Sequence, residues 1–381
     1  MNERIYLDWN ATAPLRKKAR AAALAALEVT GNPSSVHGEG RAARHWIEQA
    51  REEVAALVGA APRNVEFTSG GTEANMLALV PMAPRDRLLV SAIEHPSILA
   101  GGRFPAETVE RLPVTAAGEL DLAALERRMA ALGGHALVSL MLANNETGVV
   151  QPVSQAASVV HAAGGTLHVD AVQAAGRIPC DINVLGADLL TLSGHKIGAP
   201  KGVGALIGRT AFPRLEPVIK GGGQERRLRA GTENVAGIAG FGAAAAAARA
   251  GLATERARMA ALRDRLEAGL KAASPGVVIF GAGSERLPNT TLFAVAGMRA
   301  ETAVIAFDLA GVAVSAGAAC SSGKVQSSHV LAAMGVPPQL AGAAVRVSLG
   351  PSTTESEIDR FIEAWIKVSG SLLRESQGIA A

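Results

Sequence analysis

Residues 193–202 read SGHKIGAPKG, and this is the most informative stretch of the chain. It places Lys196 among small residues, directly after the apolar run ADLLTL at residues 187–192. An earlier run, GTLHVD at residues 165–170, ends in Asp170. Both runs have the length and the flanking residues of buried strands. The sequence therefore predicts one strand that ends in an acid and a later strand that is followed by a lysine.

The combination of Asp170 with Lys196 suits pyridoxal phosphate as a cofactor. A lysine amine forms a Schiff base with this cofactor, and a carboxylate beside the pyridine nitrogen keeps that nitrogen protonated, so that the ring accepts electrons. On its own, a lysine between glycines is more often a solvated loop residue. The prediction of a cofactor site therefore depends on what the rest of the chain carries.

The composition is that of a globular protein with a large core. The chain has 381 residues, of which 49% are hydrophobic and 19% are charged, and this length favours two domains. The net charge is only +3, and the longest basic run is residues 16–18, so we expect no nucleic-acid partner. No uncharged stretch is long and continuous enough to predict a transmembrane helix, so we expect no membrane partner.

The N-terminus and the cysteines bear on the location of the protein. Glu3 and Asp8 flank a strand-like segment at residues 5–7, a pattern that differs from a secretory signal. The two cysteines, Cys180 and Cys320, cannot form a disulfide framework. We therefore expect a cytoplasmic protein.

Short apolar runs alternate with helical patterns, such as residues 153–163, between about residues 54 and 206. Strands are predicted at residues 65–67, 87–90, 136–140, 166–170, 188–192 and 203–206. This alternation predicts an α/β fold with a mostly parallel sheet that is covered by helices on both faces. Ligands bind at the carboxyl ends of the strands in such sheets.

An alanine-rich helical stretch at residues 236–270 leads into a smaller α+β domain. This domain has predicted strands near residues 277–279, 291–295, 312–314 and 345–347, and a final helix at about residues 355–373. We predict a large cofactor-binding domain at residues 14–252. A small domain, formed by residues 1–13 together with 253–381, is predicted to carry the loop around Cys320.

Three further segments place polar groups at predicted strand ends. Residues 67–75, FTSGGTEAN, join a strand to a helix start, where N–H groups and hydroxyls, with Thr72 and Ser193 as donors, form a cradle for a phosphate. His95 follows the strand at 87–90 and can stack on an aromatic ring and move protons near neutral pH. The asparagines of residues 142–148 can bond a phenolic oxygen or a carboxylate.

Each of these segments also has a plainer interpretation. The first fits a capped turn between a strand and a helix, the second an ordinary loop histidine, and the third a polar turn before a helix. Arg346 is a lone charge in an apolar strand, and it can pair with an acid or hold a substrate carboxylate in a bidentate manner. Cys180 fits a small buried hydrophobe, whereas Cys320 lies among glycines and serines, where a thiol is accessible.

Taken together, the motifs resemble the cysteine desulfurases of the NifS/IscS type, which belong to aminotransferase class V among the fold-type I pyridoxal phosphate enzymes. The resemblance covers nearly the whole chain, and it is specific because many motifs occur in order. They lie at residues 6–14, 31–37, 68–73, 94–96, 144–148, 168–173, 193–202, 221–226, 229–234, 287–290, 315–323, 328–331 and 346–350.

The resemblance implies a role for each matching position. The cofactor would be held by Lys196 as the Schiff base, Asp170 at the pyridine nitrogen, Gln173 at the ring hydroxyl, His95 stacked on the ring, Asn145 beside it, and Gly71, Thr72, Ser193 and His195 at the phosphate. Thr232 would reach the phosphate of a partner subunit, which implies a homodimer. Asn145 and Arg346 would bind the carboxylate of the substrate, L-cysteine.

The implied catalytic residues are Cys320, Lys196 and His95. Cys320 would take the substrate sulfur as a persulfide and pass it to an acceptor protein, such as an iron–sulfur scaffold, which also makes Cys320 a candidate metal ligand during transfer. A selenocysteine lyase or another class V enzyme is the alternative, although a cysteine in this loop speaks against a transaminase. A sulfur-relay protein without chemistry is a third interpretation, and the presence of Lys196, Asp170 and His95 speaks against it.

Overall fold

The computed structural model describes residues 4–212, 215–317 and 328–378, with side chains as far as residue 372. The strands are β1 Ile5–Tyr6, β2 Val65–Thr68, β3 Arg87–Ser91, β4 Val109–Leu112, β5 Ala136–Met141, β6 Thr166–Asp170, β7 Leu189–Ser193, β8 Gly204–Gly208, β9 Val278–Ile279, β10 Thr290–Ala294, β11 Val312–Ala313, β12 Ser315–Ala316 and β13 Val345–Ser348. The helices are α1 Lys17–Leu27, α2 Gly38–Leu57, α3 Gly71–Ala78, α4 Pro96–Leu99, α5 Leu122–Leu132, α6 Val153–Ala162, α7 Ile182–Leu185, α8 Val235–Ala273, α9 Ala300–Leu309, α10 His329–Ala333, α11 Pro338–Ala341 and α12 Glu355–Gly378.

A seven-stranded mixed sheet has the strand order β2-β8-β7-β6-β5-β3-β4. The strands from β7 to β4 run parallel, and β8 is antiparallel to both of its neighbours. Every residue of β5, β6 and β7 is buried, which requires cover on both faces of the sheet. The predicted α/β class and mostly parallel sheet are thus confirmed.

The edge strand β4 has no counterpart among the sequence-based predictions. It has only four residues, and the charged Glu110 and Arg111 occupy its centre. A short edge strand buries little surface, so its sequence lacks the apolar run by which its neighbours are recognised.

A second sheet of four antiparallel strands has the order β12-β13-β10-β9, and β1 pairs in parallel with β11 beside it. Its core contains an aromatic cluster, in which the ring centroids of Phe293 and Trp365 lie 5.0 Å apart and those of Phe307 and Phe361 lie 5.1 Å apart. Only 3% of the chain is aromatic. Several of these few aromatic residues are therefore concentrated in the core of the second sheet.

Helix α8 contributes to both hydrophobic cores. Ile238 and Phe241 pack into the core of the large sheet, whereas Leu262 and Leu266 pack into the core of the second sheet. By length and composition alone α8 could cross a membrane, but half of its most apolar window is buried inside the protein. The boundary predicted between residues 252 and 253 lies within this helix, and the domain limits stay a prediction.

The N-terminal segment brings a stretch of backbone to the carboxyl edge of the large sheet. The backbone of Asp8 forms a parallel β-bridge with Ser348 at the end of β13. The ring of Trp9 packs closely against Gly350, where an added Cβ would lie 2.0 Å from the indole. These contacts fix the residues that follow, Asn10 and Ala11, beside the strand ends.

Candidate active site

A cavity of about 860 Å³ opens at the carboxyl ends of the central strands, where β5, β6 and β7 end in Met141, Asp170 and Ser193. Residues from widely separated parts of the sequence line it. The predicted site residues among them are Gly71, Thr72, His95, Asn145, Asp170, Gln173, Ser193, His195, Lys196 and Arg346. The structure therefore brings these predicted residues together in one place.

Lys196 lies just after β7, in a 3₁₀ turn that spans Gly194–Ile197. Its Nζ donates to the backbone oxygens of Asn10, at 2.6 Å, and Ala11, at 2.9 Å. Burial, with a smaller contribution from the nearby charge of Arg346, lowers the pKa of the Lys196 amine to about 7. A substantial fraction of this amine is therefore uncharged near neutral pH, the form in which it acts as a nucleophile or a base.

Asp170 ends β6 and is held by two donors. Its Oδ1 accepts from the N–H of Val172 at 2.9 Å, and its Oδ2 accepts from Nδ2 of Asn75 at 3.0 Å. His168 lies two residues earlier in β6, and its buried ring is 2.9 Å from both Ser139 Oγ and Thr191 Oγ1. Burial lowers the pKa of His168 to about 4, so this ring is neutral beneath the carboxylate.

His95 precedes α4 and caps its N-terminus. Its Nδ1 accepts from the N–H of Ser97 at 3.2 Å and lies 2.8 Å from Ser97 Oγ. The ring faces the open cavity, but the surrounding walls desolvate it, and this lowers its pKa. The charge of Asp170 raises the pKa, and the charge of Lys196 lowers it. His95 is thus mostly neutral at physiological pH.

The N-terminus of α3 forms one wall of the cavity. The first backbone N–H groups of a helix have no partner within the helix, and they bind anions together with the helix dipole. A Cβ at Gly71 would lie 3.1 Å from Val172 Cγ2 and 3.4 Å from Ser193 Cβ, so a side chain at this position would crowd two residues that line the cavity. Burial lowers the pKa of His195 to about 4, and its Nδ1 lies 3.1 Å from Thr12 Oγ1.

Arg346 enters the cavity from β13 of the second sheet. Its guanidinium donates to Asp8 Oδ1 at 2.8 Å and to the backbone oxygen of Asn145 at 3.0 Å. Its Nε is buried and has no hydrogen-bond partner among the residues described here. Gln173 donates through Nε2 to the backbone oxygen of Asn10 at 3.0 Å.

The sequence motifs contain cavity residues whose roles were not predicted. Asn10 and Ala11 supply the oxygens that hold Lys196, and Asn75 holds Asp170. Glu146 is buried in the cavity wall and accepts from Ser328 Oγ at 2.6 Å. All of these positions lie within segments quoted in the sequence analysis, and their position in those segments is the only signal in the sequence.

The structure places one predicted residue, Thr232, outside the cavity, and it does not describe another, Cys320. Thr232 is exposed, so its predicted role toward a partner subunit stays a prediction. Cys320 lies outside the described residues. Cys180 is buried, and burial raises the pKa of its thiol to about 12, in agreement with its interpretation as a small core residue.

The model of one protein family, "Aminotransferase class-V", matches residues 5–361. The chain belongs to this family. A class V relative named "Cysteine desulfurase" from Cereibacter sphaeroides is 46% identical over 372 residues, which cover 95% of this chain and 94% of the relative. The family depends on pyridoxal phosphate.

Solved structures of similar proteins have the same fold. A NifS-like protein from Rickettsia africae ESF-5 superposes with a TM-score of 0.88 at 36% identity, over 97% of this chain and 100% of that chain. A structure described as SspA in complex with cysteine has a TM-score of 0.77 at 29% identity, over 92% of this chain and 100% of the other. The predicted recognition of the family and of the fold-type I architecture is thereby confirmed.

Proposed function

We propose that this class V protein is a cysteine desulfurase, which converts L-cysteine to L-alanine and takes the sulfur onto Cys320 as a persulfide. The observation that carries the proposal is the convergence of Lys196, Asp170 and Arg346 on one cavity, in a chain whose relatives bear this name. An amine, a carboxylate and a guanidinium are the groups that this reaction needs around its substrate and cofactor.

The cavity fits pyridoxal phosphate. The N-terminus of α3 at Gly71 suits the phosphate, because the first N–H groups of a helix bind anions and Thr72, Ser193 and His195 line the cavity beside it. Asp170 would hold the protonated ring nitrogen, Gln173 the ring hydroxyl, and His95 and Asn145 the ring itself. When bound to Lys196, the cofactor supplies an electron sink for the carbanion at the substrate α-carbon.

Arg346 is placed to bind the substrate carboxylate. Its Nε–H is buried without a hydrogen-bond partner among the described residues, and burying such a donor unpaired costs free energy that an incoming carboxylate would recover. The contacts to Asp8 and Asn145 fix the guanidinium plane at the wall of the cavity. The structure described as SspA in complex with cysteine supports a cysteine substrate for this cavity.

The α-proton of the substrate passes to Lys196 or to His95, which both line the cavity. A base works best when its pKa lies near the working pH, and burial brings the pKa of Lys196 to about 7. The oxygens of Asn10 and Ala11 hold the protonated amine afterwards, because both accept from its Nζ.

The sulfur step is balanced without an outside oxidant. The thiolate of Cys320 attacks the substrate sulfur, so that an S–S bond forms and the C–S bond breaks. The bonding electron pair stays on the substrate carbon, which takes up a proton and becomes the methyl group of alanine. An ordinary cysteine thiol has a pKa of about 8.5, so Cys320 must lose its proton near the bound substrate.

Assembly, acceptor and location complete the proposal. We place the protein in a homodimer, in which the exposed Thr232 contributes to the site of the partner subunit. The sulfur acceptor is proposed to be an iron–sulfur scaffold protein, with Cys320 as a transient metal ligand. The cytoplasm is proposed as the location, from the composition and the cysteine count.

Product analysis tests the proposed reaction. The protein loaded with pyridoxal phosphate is incubated with L-cysteine and a thiol reductant, and alanine and sulfide are measured together. We expect equal amounts of both. Pyruvate and ammonia in place of alanine would contradict the proposal, and turnover of L-selenocysteine alone would identify a selenocysteine lyase instead.

A further inference from the structure

Asn75 is a buried residue of the cavity for which the proposed reaction has no role. It lies in α3, between Asp170 at the end of β6 and Ser97 in α4. Its Nδ2 lies 3.0 Å from Asp170 Oδ2 and 3.0 Å from Ser97 Oγ. One amide nitrogen therefore bridges two groups from different elements.

The chemistry of the neighbours fixes the orientation of this amide. An ionised carboxylate only accepts hydrogen bonds, so the atom that faces Asp170 must be the nitrogen. In this orientation Asn75 Oδ1 is buried and has no hydrogen-bond partner within the described part of the chain. Leaving a buried acceptor unpaired is unfavourable for folding. Asparagine at this position is therefore not explained by the stability of the fold. It is explained by the two N–H groups of its amide, which donate to Asp170 and Ser97.

Ser97 contacts both Asn75 and His95 through its hydroxyl group. The hydroxyl oxygen of Ser97 already accepts from Asn75, so its own proton is free to be donated to His95 Nδ1, 2.8 Å away. The backbone N–H of Ser97 is directed at the same Nδ1, at 3.2 Å. With two donors facing it, Nδ1 is an acceptor, and a neutral imidazole then carries its proton on Nε2.

We propose that Asn75 and Ser97 are positioning residues, which link Asp170 to His95 through hydrogen bonds and hold His95 in the tautomer with the proton on Nε2. The inference rests on the proposed function for its consequence in turnover. A neutral His95 of this tautomer offers a donor at Nε2 and accepts no proton there. The α-proton therefore passes to the amine of Lys196, and His95 serves as a hydrogen-bond or proton donor.

Nitrogen NMR of the histidine rings tests the tautomer directly. The protein loaded with pyridoxal phosphate is labelled with ¹⁵N-histidine, and the His95 signals are assigned by their loss in His95→Gln. We expect a protonated Nε2 and an unprotonated Nδ1 in the neutral ring. A proton on Nδ1 would overturn the proposal. This measurement needs no turnover, so it tests the hydrogen-bonded link from Asp170 through Asn75 and Ser97 to His95 independently of the proposed reaction.

Substitutions test whether the bridge matters in turnover. Asn75→Leu keeps the shape and removes both donors, so we expect a mixture of His95 tautomers and a fall in kcat/KM of about tenfold to a hundredfold. Asn64→Leu is the matched control, because Asn64 is also buried, has an Oδ1 that no described residue pairs with, and lies outside the cavity. We expect the control to leave both readouts unchanged.

A second pair covers the case in which Asn75→Leu does not fold. Ser97→Ala removes one of the two donors to His95 Nδ1, and Ser97→Thr keeps the hydroxyl. We expect Ser97→Ala to shift the tautomer ratio and to lower kcat/KM, and Ser97→Thr to restore both. Equal behaviour of the alanine and threonine variants, or an unchanged tautomer in Asn75→Leu, would overturn the proposal.

Discussion

The guanidinium of Arg346 donates to the carboxylate of Asp8 at 2.8 Å, across 338 residues of sequence. This contact joins the N-terminal segment to β13 at the edge of the active-site cavity. The sequence allowed Arg346 either to pair with an acid or to bind a substrate carboxylate, and the structure shows that it pairs with Asp8. This contact also orients the guanidinium, whose Nε–H has no acceptor in the part of the chain that the structure describes, and we propose that this group binds a substrate carboxylate.

Arg346→Lys tests this arrangement. Lysine keeps the charge but lacks the planar fork that binds a carboxylate and Asp8 together, so we expect KM for L-cysteine to rise about tenfold or more. The absorbance of the bound cofactor should stay the same, since Arg346 is assigned to the substrate. An unchanged KM would remove Arg346 from the substrate site.

Lys196→Met tests the burial of the amine in protein without cofactor. The pKa of Lys196 is about 7 in the folded chain and about 10.4 in an unfolded one, so the unfolded state binds more protons between these values. Stability of the native protein should therefore rise with pH across this window. Methionine removes the cost of burying a charge, and we expect its stabilising effect to be largest near pH 7 and to shrink toward pH 10.

Thermal unfolding of the cofactor-free variants at several pH values measures this effect. Lys201→Met is the matched control, because Lys201 also lines the cavity but is exposed. A pH-independent difference between Lys196→Met and the native protein would show that the amine is not desolvated.

Glu146→Gln has the opposite pH dependence. Burial raises the pKa of the Glu146 carboxyl to about 7, so the folded state binds more protons than the unfolded state between about pH 4 and that value. The native protein should lose stability as pH rises through this window. Glutamine can still accept from Ser328 and carries no charge. We expect it to raise the melting temperature near pH 8 more than near pH 5, and an equal effect at both would contradict the assignment.

Gly71→Ala tests the phosphate cradle. The backbone of Gly71 is helical and tolerates alanine, but the added Cβ would crowd Val172 and Ser193 and take up space in the cradle. We expect the affinity for pyridoxal phosphate to fall about tenfold, with little change in unfolding of the cofactor-free protein. Gly276→Ala, where a Cβ meets no atom of the described residues within 4 Å, is the control. Equal cofactor affinity in both variants would place the phosphate elsewhere.

The sequence predicted the central strands well because they are buried on both faces and read as apolar runs, as β6 and β7 do. It missed β4, whose central residues are charged. The predicted site residues came from motifs at strand ends, and ten of them meet in one cavity. The contacts among them could not be predicted, since the Lys196–Asn10 and Arg346–Asp8 pairs depend on tertiary packing across 186 and 338 residues.

Positioning residues were harder to predict from the sequence than chemical ones. A lysine or an acid at a strand end has a recognisable chemistry, whereas Asn75 is one polar residue within a helix start. Its importance follows only from the distances to Asp170 and Ser97. The same holds for Glu146, whose contact with Ser328 joins segments 182 residues apart.

Alanine release from L-cysteine by Cys320→Ala and Cys180→Ala, measured side by side, tests the central claim most directly. Cys180 is buried, and with a pKa of about 12 its thiol stays protonated, so its substitution should leave activity nearly unchanged. Cys320→Ala should bind pyridoxal phosphate normally and release no alanine, because the attacking thiolate is gone. Full activity in Cys320→Ala, or loss of activity in Cys180→Ala alone, would contradict the desulfurase mechanism.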